Sequence, residues 1–403
     1  MEAVPNSLAQ RAQPQPHPPH ALWLVAYAFF IVMLGTTLPT PLYPIYQRQF
    51  GFSELMITVI FATYAASVIG GLFLFGRLSD DVGRRPVLFP GLALSALSAI
   101  AFLLAGGVLP MLAGRVLSGL SAAIFTGTAT AAMVDLAPPK NRLRATTLAV
   151  AANLGGLGVG QLLSGALAQY APLPLRLPYL VDLALLLLAA VAVLSVPETV
   201  SHRTARWRLQ RLTVPPQVRQ AFIPAAIAGF CGFAVSGVFG SVVPTFLAQQ
   251  VGQPNHALVG AILFSLLGFS AIGQVAVGRI SERLALPLGC AGLIAGAALL
   301  GAAVALSSLW PLMASAPVVG LGQGLVVGAG LGAINRGTPP ERRGEVASTY
   351  FIALYVGLTL PVLGIGLGGR WVGFHTAGMA YAGLAMAVVA TVLAWLVRRP
   401  VPE

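Results

Sequence analysis

Twelve apolar runs follow one another along this chain, separated mostly by short polar breaks. They lie near 22–46, 55–76, 87–107, 111–136, 146–170, 178–197, 220–248, 258–278, 287–308, 312–335, 346–370 and 374–397. About 20 residues suffice for one helical crossing of a bilayer. In hydrocarbon every backbone N–H and C=O must be satisfied internally, which leaves helices or closed barrels. Runs of this length and composition predict an all-α polytopic membrane protein with twelve spans. Only 8% of residues are charged and 57% are hydrophobic, against roughly 25% charged in a soluble domain, so the lipid bilayer is the expected solvent.

The net charge of +12 takes its meaning from where the charges fall. Nineteen of the 23 basic residues lie in alternate breaks and at the two ends, only Arg48, Arg176 and Arg370 lie in the opposite breaks, and Arg115 lies within a run. The Lys/Arg bias sets orientation, and it predicts that both termini and the longest break are cytoplasmic. No basic stripe alternates with aromatics as a single-strand platform requires, so a nucleic-acid partner is not expected. The use of arginine with a single lysine, Lys140, beside abundant Ala, Gly and Leu suits a GC-rich bacterial genome and hence a bacterial inner membrane.

Cys231 and Cys290 have no second Cys or His at metal-ligand spacing; no metal, disulfide or cofactor is expected. Residues 1–20 read as a disordered cytoplasmic tail. No H-E-x-x-H, G-x-S-x-G or phosphate-binding glycine loop with lysine occurs, so the expected protein is neither an enzyme nor an ATP-driven pump.

A dense polar island, GRLSDDVGRRP at 76–86, separates the second and third runs. Charges of this density do not sit in hydrocarbon and place the island at a membrane surface. Gly76-Arg77-Leu78-Ser79-Asp80 returns 202 positions on as Gly278-Arg279-Ile280-Ser281-Glu282. Ala137-Pro138-Pro139-Lys140-Asn141-Arg142 returns, more loosely, 201 positions on as Thr338-Pro339-Pro340-Glu341-Arg342-Arg343. The chain therefore reads as two six-helix bundles, 21–197 and 220–398, joined by a cytoplasmic linker at 198–219 and ending in a tail at 399–403.

These features resemble the major facilitator superfamily. Its signature between the second and third helices, G-x-L-(A/S)-D-x-x-G-R-(R/K), is matched through Gly76, Leu78, Ser79, Asp80, Gly83, Arg84 and Arg85. The resemblance implies two pseudo-symmetric lobes around one site that opens alternately to each side, with the halves related by an axis along the membrane normal. It also implies a latch in which Asp80, Arg84 and Asp135 form a charge relay. Independently of the family, Gly76 and Gly83 permit a tight turn. Asp80 is placed to meet a helix N-terminus in the other half or to accept from Arg84. The echo at Gly278 lacks the second glycine and the paired arginines, so the full latch is expected in the amino-terminal half only.

Two more stretches resemble the family. Arg115-Val116-Leu117-Ser118-Gly119-Leu120-Ser121-Ala122-Ala123 is similar to R-x-x-Q-G-x-G-A-A, and the run from Gly156 to Gly165 to an antiporter motif, with Gln161 and Ser164 at two departures. Arg115 lies about 7 Å from its helix end at 1.5 Å per residue; it either snorkels outward or serves substrate or proton chemistry. Asp182 is the acidic residue placed inside a span away from the cytoplasmic breaks, and proton binding and a structural role both stay open for it. A proton-sensitive Arg115–Asp182 pair is the coupling hypothesis, with protons as the coupling ion.

The family places its site among helices 1, 2, 4, 5, 7, 8, 10 and 11. Residues there suited to a substrate are Tyr27, Phe30, Asn153, Gln161, Phe233, Gln274, Gln323 and Tyr355, with Met33, Tyr64, Phe230 and Tyr350 as further members. A largely apolar cavity with a few amides suits a small amphipathic molecule. The expected function is export of such compounds by a monomer, with proton antiport as the coupling. The alternatives are uptake or facilitated passage of a metabolite or organic anion and, in a different class, a non-transporting membrane sensor or scaffold.

Overall fold

The computed structural model describes residues 18–200, 212–241, 243–249, 255–339 and 342–398. Most of the expected amino-terminal tail, the centre of the expected linker and the tail at 399–403 lie outside the described residues. Among the described residues regular structure is entirely helical, in fifteen α-helices and four 3-10 turns. The first eight helices are α1 (Pro19–Thr37), α2 (Tyr43–Phe50), α3 (Glu54–Phe75), α4 (Leu78–Val82), α5 (Arg84–Leu103), α6 (Val108–Leu136), α7 (Arg142–Tyr170) and α8 (Leu177–Leu194). The remainder are α9 (Arg219–Ser241), α10 (Val243–Gln249), α11 (His256–Ala276), α12 (Glu282–Leu306), α13 (Leu309–Gly337), α14 (Arg343–Val372) and α15 (Phe374–Arg398).

Twelve helical segments among the described residues are long and apolar enough to cross a membrane. The expected first run proves to be two helices. Pro39 and Pro41 lack the N–H groups that would continue α1, so the chain turns at 38–42 before α2 begins. The apolar run expected at 220–248 is covered by α9 and α10, on either side of residue 242, which lies outside the described residues. Short α4 forms within the polar island, and Gly83 at φ +115 turns the chain from α4 into α5. Asn255 opens α11 by accepting a hydrogen bond from Leu258 N at 3.0 Å, a normal N-cap arrangement.

Each half packs its own apolar interior. In the amino-terminal half Val25, Phe29, Phe125 and Leu186 are buried together; in the other half Phe239, Leu263, Leu293, Val319 and Val389 are. The outward surface is apolar as well, with Leu187, Trp310 and Trp371 at 67%, 77% and 87% exposure. A surface of that kind is stable against lipid chains and costly against water.

The halves meet along two seams, α7 against α11 and α3 against α14. Without a hydrophobic drive in lipid, helices associate through close van der Waals contact, which small residues permit. At the first seam a Cβ on Gly165 would collide with the His256 carbonyl, and one on Gly260 with the Gln161 carbonyl. Gly268, also on α11, faces open space. Gly260→Val is therefore expected to cost about 1–3 kcal/mol through overpacking, read as a lowered melting temperature in detergent. Gly268→Val, with no neighbour to meet, should leave that temperature nearly unchanged; equal effects would show that the seam is not closely packed.

Candidate functional site

Between the halves lies a cavity of about 310 Å³. Its wall is built by α1 with the turn after it, and by α3, α6, α7, α9, α11, α13 and α14; no lining residue comes from α5, α8, α12 or α15. These eight are the first, second, fourth, fifth, seventh, eighth, tenth and eleventh spans. Asn153, Gln161, Phe233, Gln274, Gln323 and Tyr355 line it, as does Tyr64. Tyr27 and Phe30 do not. Tyr27 donates to the Leu185 carbonyl at 3.3 Å on α8, and Phe30 packs over Gly155 and Gly156 of α7. Both sit on faces of α1 that bind neighbouring helices of the same half. The side-chain carbonyls of Gln161 and Gln323 are buried and have no hydrogen-bond partner among the described residues.

Arg115 also lines the cavity. It does not snorkel: the residue is 2% exposed. Nε donates to the Tyr43 hydroxyl at 2.8 Å, Nη1 to the Thr36 carbonyl at 2.6 Å, and Nη2 to the Tyr43 hydroxyl and to Thr40 Oγ1. Thr36 belongs to the last turn of α1, whose carbonyls lack helical donors and carry the negative end of the helix dipole. The rings of Tyr43, Tyr64 and Phe102 lie 5.3, 5.6 and 5.7 Å from the guanidinium carbon. Cation–π contacts at such distances contribute about 0.5–2 kcal/mol each. These partners offset much of the desolvation of a buried cation. The sequence carried a signal for them in Pro39 and Pro41, which end α1 between Thr36 and the hydroxyl residues Thr40 and Tyr43.

The expected Arg115–Asp182 pair does not form among the described residues. Arg115 is turned to the carboxyl end of α1, while Asp182, 1% exposed, packs against Gly35 of α1. A Cβ at position 35 would stand 2.7 Å from its Oδ2, so any larger residue there would have to displace the carboxylate. Asp182 Oδ1 has no hydrogen-bond partner among the described residues.

The polar island is organised around Arg84. Its side chain donates to Asp80 Oδ1 at 2.5 Å, Asp135 Oδ2 at 3.1 Å and Ser79 Oγ at 2.8 Å. Asp80 thus accepts from Arg84, the second of its two expected partners. The two oxygens of Glu198 accept from the backbone N–H groups of Arg84 and Arg85 at 2.9 and 3.1 Å. Glu198 so caps α5, where an anion complements the helix dipole. The ion pair that crosses between the halves is Arg77–Glu345, 2.6 Å, with Glu345 largely buried in the first turn of α14. Thr213 also donates to Glu345, at 3.1 Å. All three ion pairs found among the described residues involve the amino-terminal island.

At the opposite, arginine-poor end the halves are in direct contact. His256 N donates to Gln169 Oε1 at 2.9 Å, and His256 Nδ1 lies 3.2 Å from the Pro41 carbonyl. Gly240 of α9 faces Phe61 of α3, and Gly366 of α14 faces Thr58 of α3.

Two six-span lobes with a cavity lined by both and small-residue seams between them define the class of lobed membrane bundles that enclose a central site. The chain matches the Major Facilitator Superfamily profile over residues 25–360 and 225–403, and it belongs to that family. It is 25% identical over 271 residues to an Escherichia coli O1:K1 / APEC protein described as "Putative multidrug resistance protein MdtD", covering 65% of this chain and 57% of that protein. The chain thus spans somewhat more than half the length of such curated relatives. Among solved structures it is similar to a POT family transporter in complex with a thioalcohol conjugated peptide (TM-score 0.76, 13% identity, 94% and 96% of the two chains). It is also similar to the human organic anion transporter MFSD10 (TM-score 0.68, 17% identity, 93% and 100%). At these identities the structures share the fold.

A double-mutant cycle on Arg77→Gln and Glu345→Gln, read by thermal unfolding, is expected to give a coupling of about 0.5–1 kcal/mol, because Arg77 is one-third exposed. Additive single effects would remove this pair as a link between the halves.

Proposed function

We propose that the chain is a secondary transporter of the inner membrane of a bacterium. It works as a monomer by alternating access and exports small amphipathic organic compounds in exchange for protons. The observation that carries this reading is the cavity shared by eight helices of both halves, largely apolar and holding a few amides and hydroxyls. A site divided between two packed bodies changes its exposure when one body rocks against the other. The multidrug description given to the Escherichia coli relatives supports export as the direction. The arginine bias assigns the arginine-rich end, both termini and the linker at 198–219 to the cytoplasm. The two rocking bodies are then 21–197 and 220–398.

In this reading Gly76, Asp80, Gly83, Arg84, Arg85 and Asp135 form a rigid cytoplasmic corner of the first body. Its junction to the second is Arg77–Glu345, and the outer end is closed by the contacts of His256 and by both seams. The substrate site takes in Asn153, Gln161, Phe233, Gln274, Gln323 and Tyr355. Asp182 is the proton-coupling carboxylate. It is buried against the backbone of α1, the helix whose carboxyl end reaches the cavity, so a change in its charge acts on the cavity through α1.

Everted vesicles from an efflux-deficient host carrying the chain are expected to accumulate an amphipathic dye when a proton gradient is imposed. Asp182→Asn vesicles should still move the dye down its own gradient and lose the response to the pH gradient. Dye accumulation equal to that of vesicles lacking the chain, across a panel of amphipathic compounds, would overturn export. A full pH-gradient response in Asp182→Asn would overturn the coupling role.

A further inference from the structure

Among the described residues the cavity wall carries one formal charge. Its described lining consists of apolar side chains, threonines, a serine, amides and tyrosines together with Arg115, and it contains no Asp, Glu, His or Lys. Every hydrogen-bond partner described for Arg115 is uncharged: the Tyr43 hydroxyl, the Thr36 carbonyl and the Thr40 hydroxyl. The end of α1 offsets part of the positive charge, and no carboxylate among the described residues forms an ion pair with it. A guanidinium offers five N–H donors in a planar fork. Nη1 bears two of them, and one goes to Thr36; the other has no partner among the described residues.

Two further groups on the same wall are incomplete. Gln161 and Gln323 are 7% and 5% exposed, line the cavity, and each holds a side-chain carbonyl without a partner among the described residues. A buried acceptor left open is costly until a donor reaches it. The cavity therefore presents a guanidinium with one open N–H on α6 and open acceptors on α7 and α13, set in an apolar wall.

We infer that the cavity selects amphipathic organic monoanions. A carboxylate or sulfonate docks against the Arg115 guanidinium and accepts from its open Nη1 N–H, an apolar body lies against residues such as Phe233 and Leu266, and an N–H or O–H of the compound closes Gln161 or Gln323. This rests on the transporter reading above and narrows its substrates. An organic cation in the same cavity leaves its hydration shell without meeting a carboxylate, and it faces Arg115 through a medium of low dielectric. An organic acid exchanges its hydration for charge-assisted hydrogen bonds, which are about twice as strong as neutral ones. Arg115 is thus the specificity-determining residue of the cavity.

Three probes separate charge from apolar bulk: 1-anilinonaphthalene-8-sulfonate, the same skeleton without its sulfonate (N-phenyl-1-naphthylamine), and tetraphenylphosphonium. Binding is measured by equilibrium dialysis against the full chain in nanodiscs, with empty nanodiscs subtracted. The sulfonate is expected to bind about tenfold or more tightly than its uncharged counterpart, with the phosphonium weakest. Arg115→Gln should abolish that ratio. Gln161→Glu, which keeps Arg115 and its bracing in place, should weaken the sulfonate and strengthen the phosphonium. A wild-type preference for the phosphonium would overturn the inference, as would a sulfonate preference that survives both variants. Binding of the uncharged probe or the phosphonium without a sulfonate preference removes anion selection and leaves the transporter reading standing. No binding of any probe above empty nanodiscs would remove both.

Discussion

Hydrocarbon offers no hydrogen bonds, and that constraint orders nearly everything in this molecule. It forces the backbone into closed helical ladders and removes the hydrophobic reason for those helices to adhere. What remains is close contact, and the chain provides it with glycines at the α7–α11 seam, where Gly165 and Gly260 lie against carbonyls of the facing helix. Polar side chains that cannot face lipid are gathered where the lobes meet. The cavity is the consequence: threonines, amides and Arg115 on its wall, with Leu187, Trp310 and Trp371 on the outside.

The energetics of Arg115 follow from the way α1 ends. Prolines at 39 and 41 stop the helix and leave its last carbonyls open, and the guanidinium takes one of them while Tyr43 and Thr40, just past the break, supply hydroxyls. One short interruption thus creates both a cation-binding helix end and the hydroxyls that brace the cation. Asp182, on α8, packs against the same helix at Gly35. The two ionisable groups are linked through α1 rather than by a direct ion pair, so movement of α1 is the physical route between proton and substrate in this account.

Twelve spans and the Arg84–Asp80 pair were legible in the sequence, because apolar run length and a dense local motif are properties of neighbouring residues; Asp135, 51 positions from Arg84, entered through the family resemblance. Six of the eight substrate candidates line the cavity; Tyr27 and Phe30 do not, since composition reveals that α1 is apolar and says little about which face turns inward. Contacts between distant segments were the harder part. Glu198 and Glu345 fall in polar breaks of the sequence with nothing nearby to name their partners, yet one caps α5 and the other joins the lobes through Arg77. Arg115 and Asp182 looked like natural partners by charge alone. Their separate placement depends on a helix stop and on a glycine, and neither feature carries charge.

The central claim is that the cavity opens by movement of one lobe against the other. Spin labels at Ser53 and Trp371 report the arginine-poor end, and labels at Arg144 and Arg279 the arginine-rich end; all four positions are exposed. Pulsed electron–electron distance measurements in nanodiscs, with and without a bound amphipathic anion and across pH, test the claim directly. The account predicts two populations in which one pair lengthens as the other shortens. Distances that stay single and fixed at both ends under all conditions would contradict it.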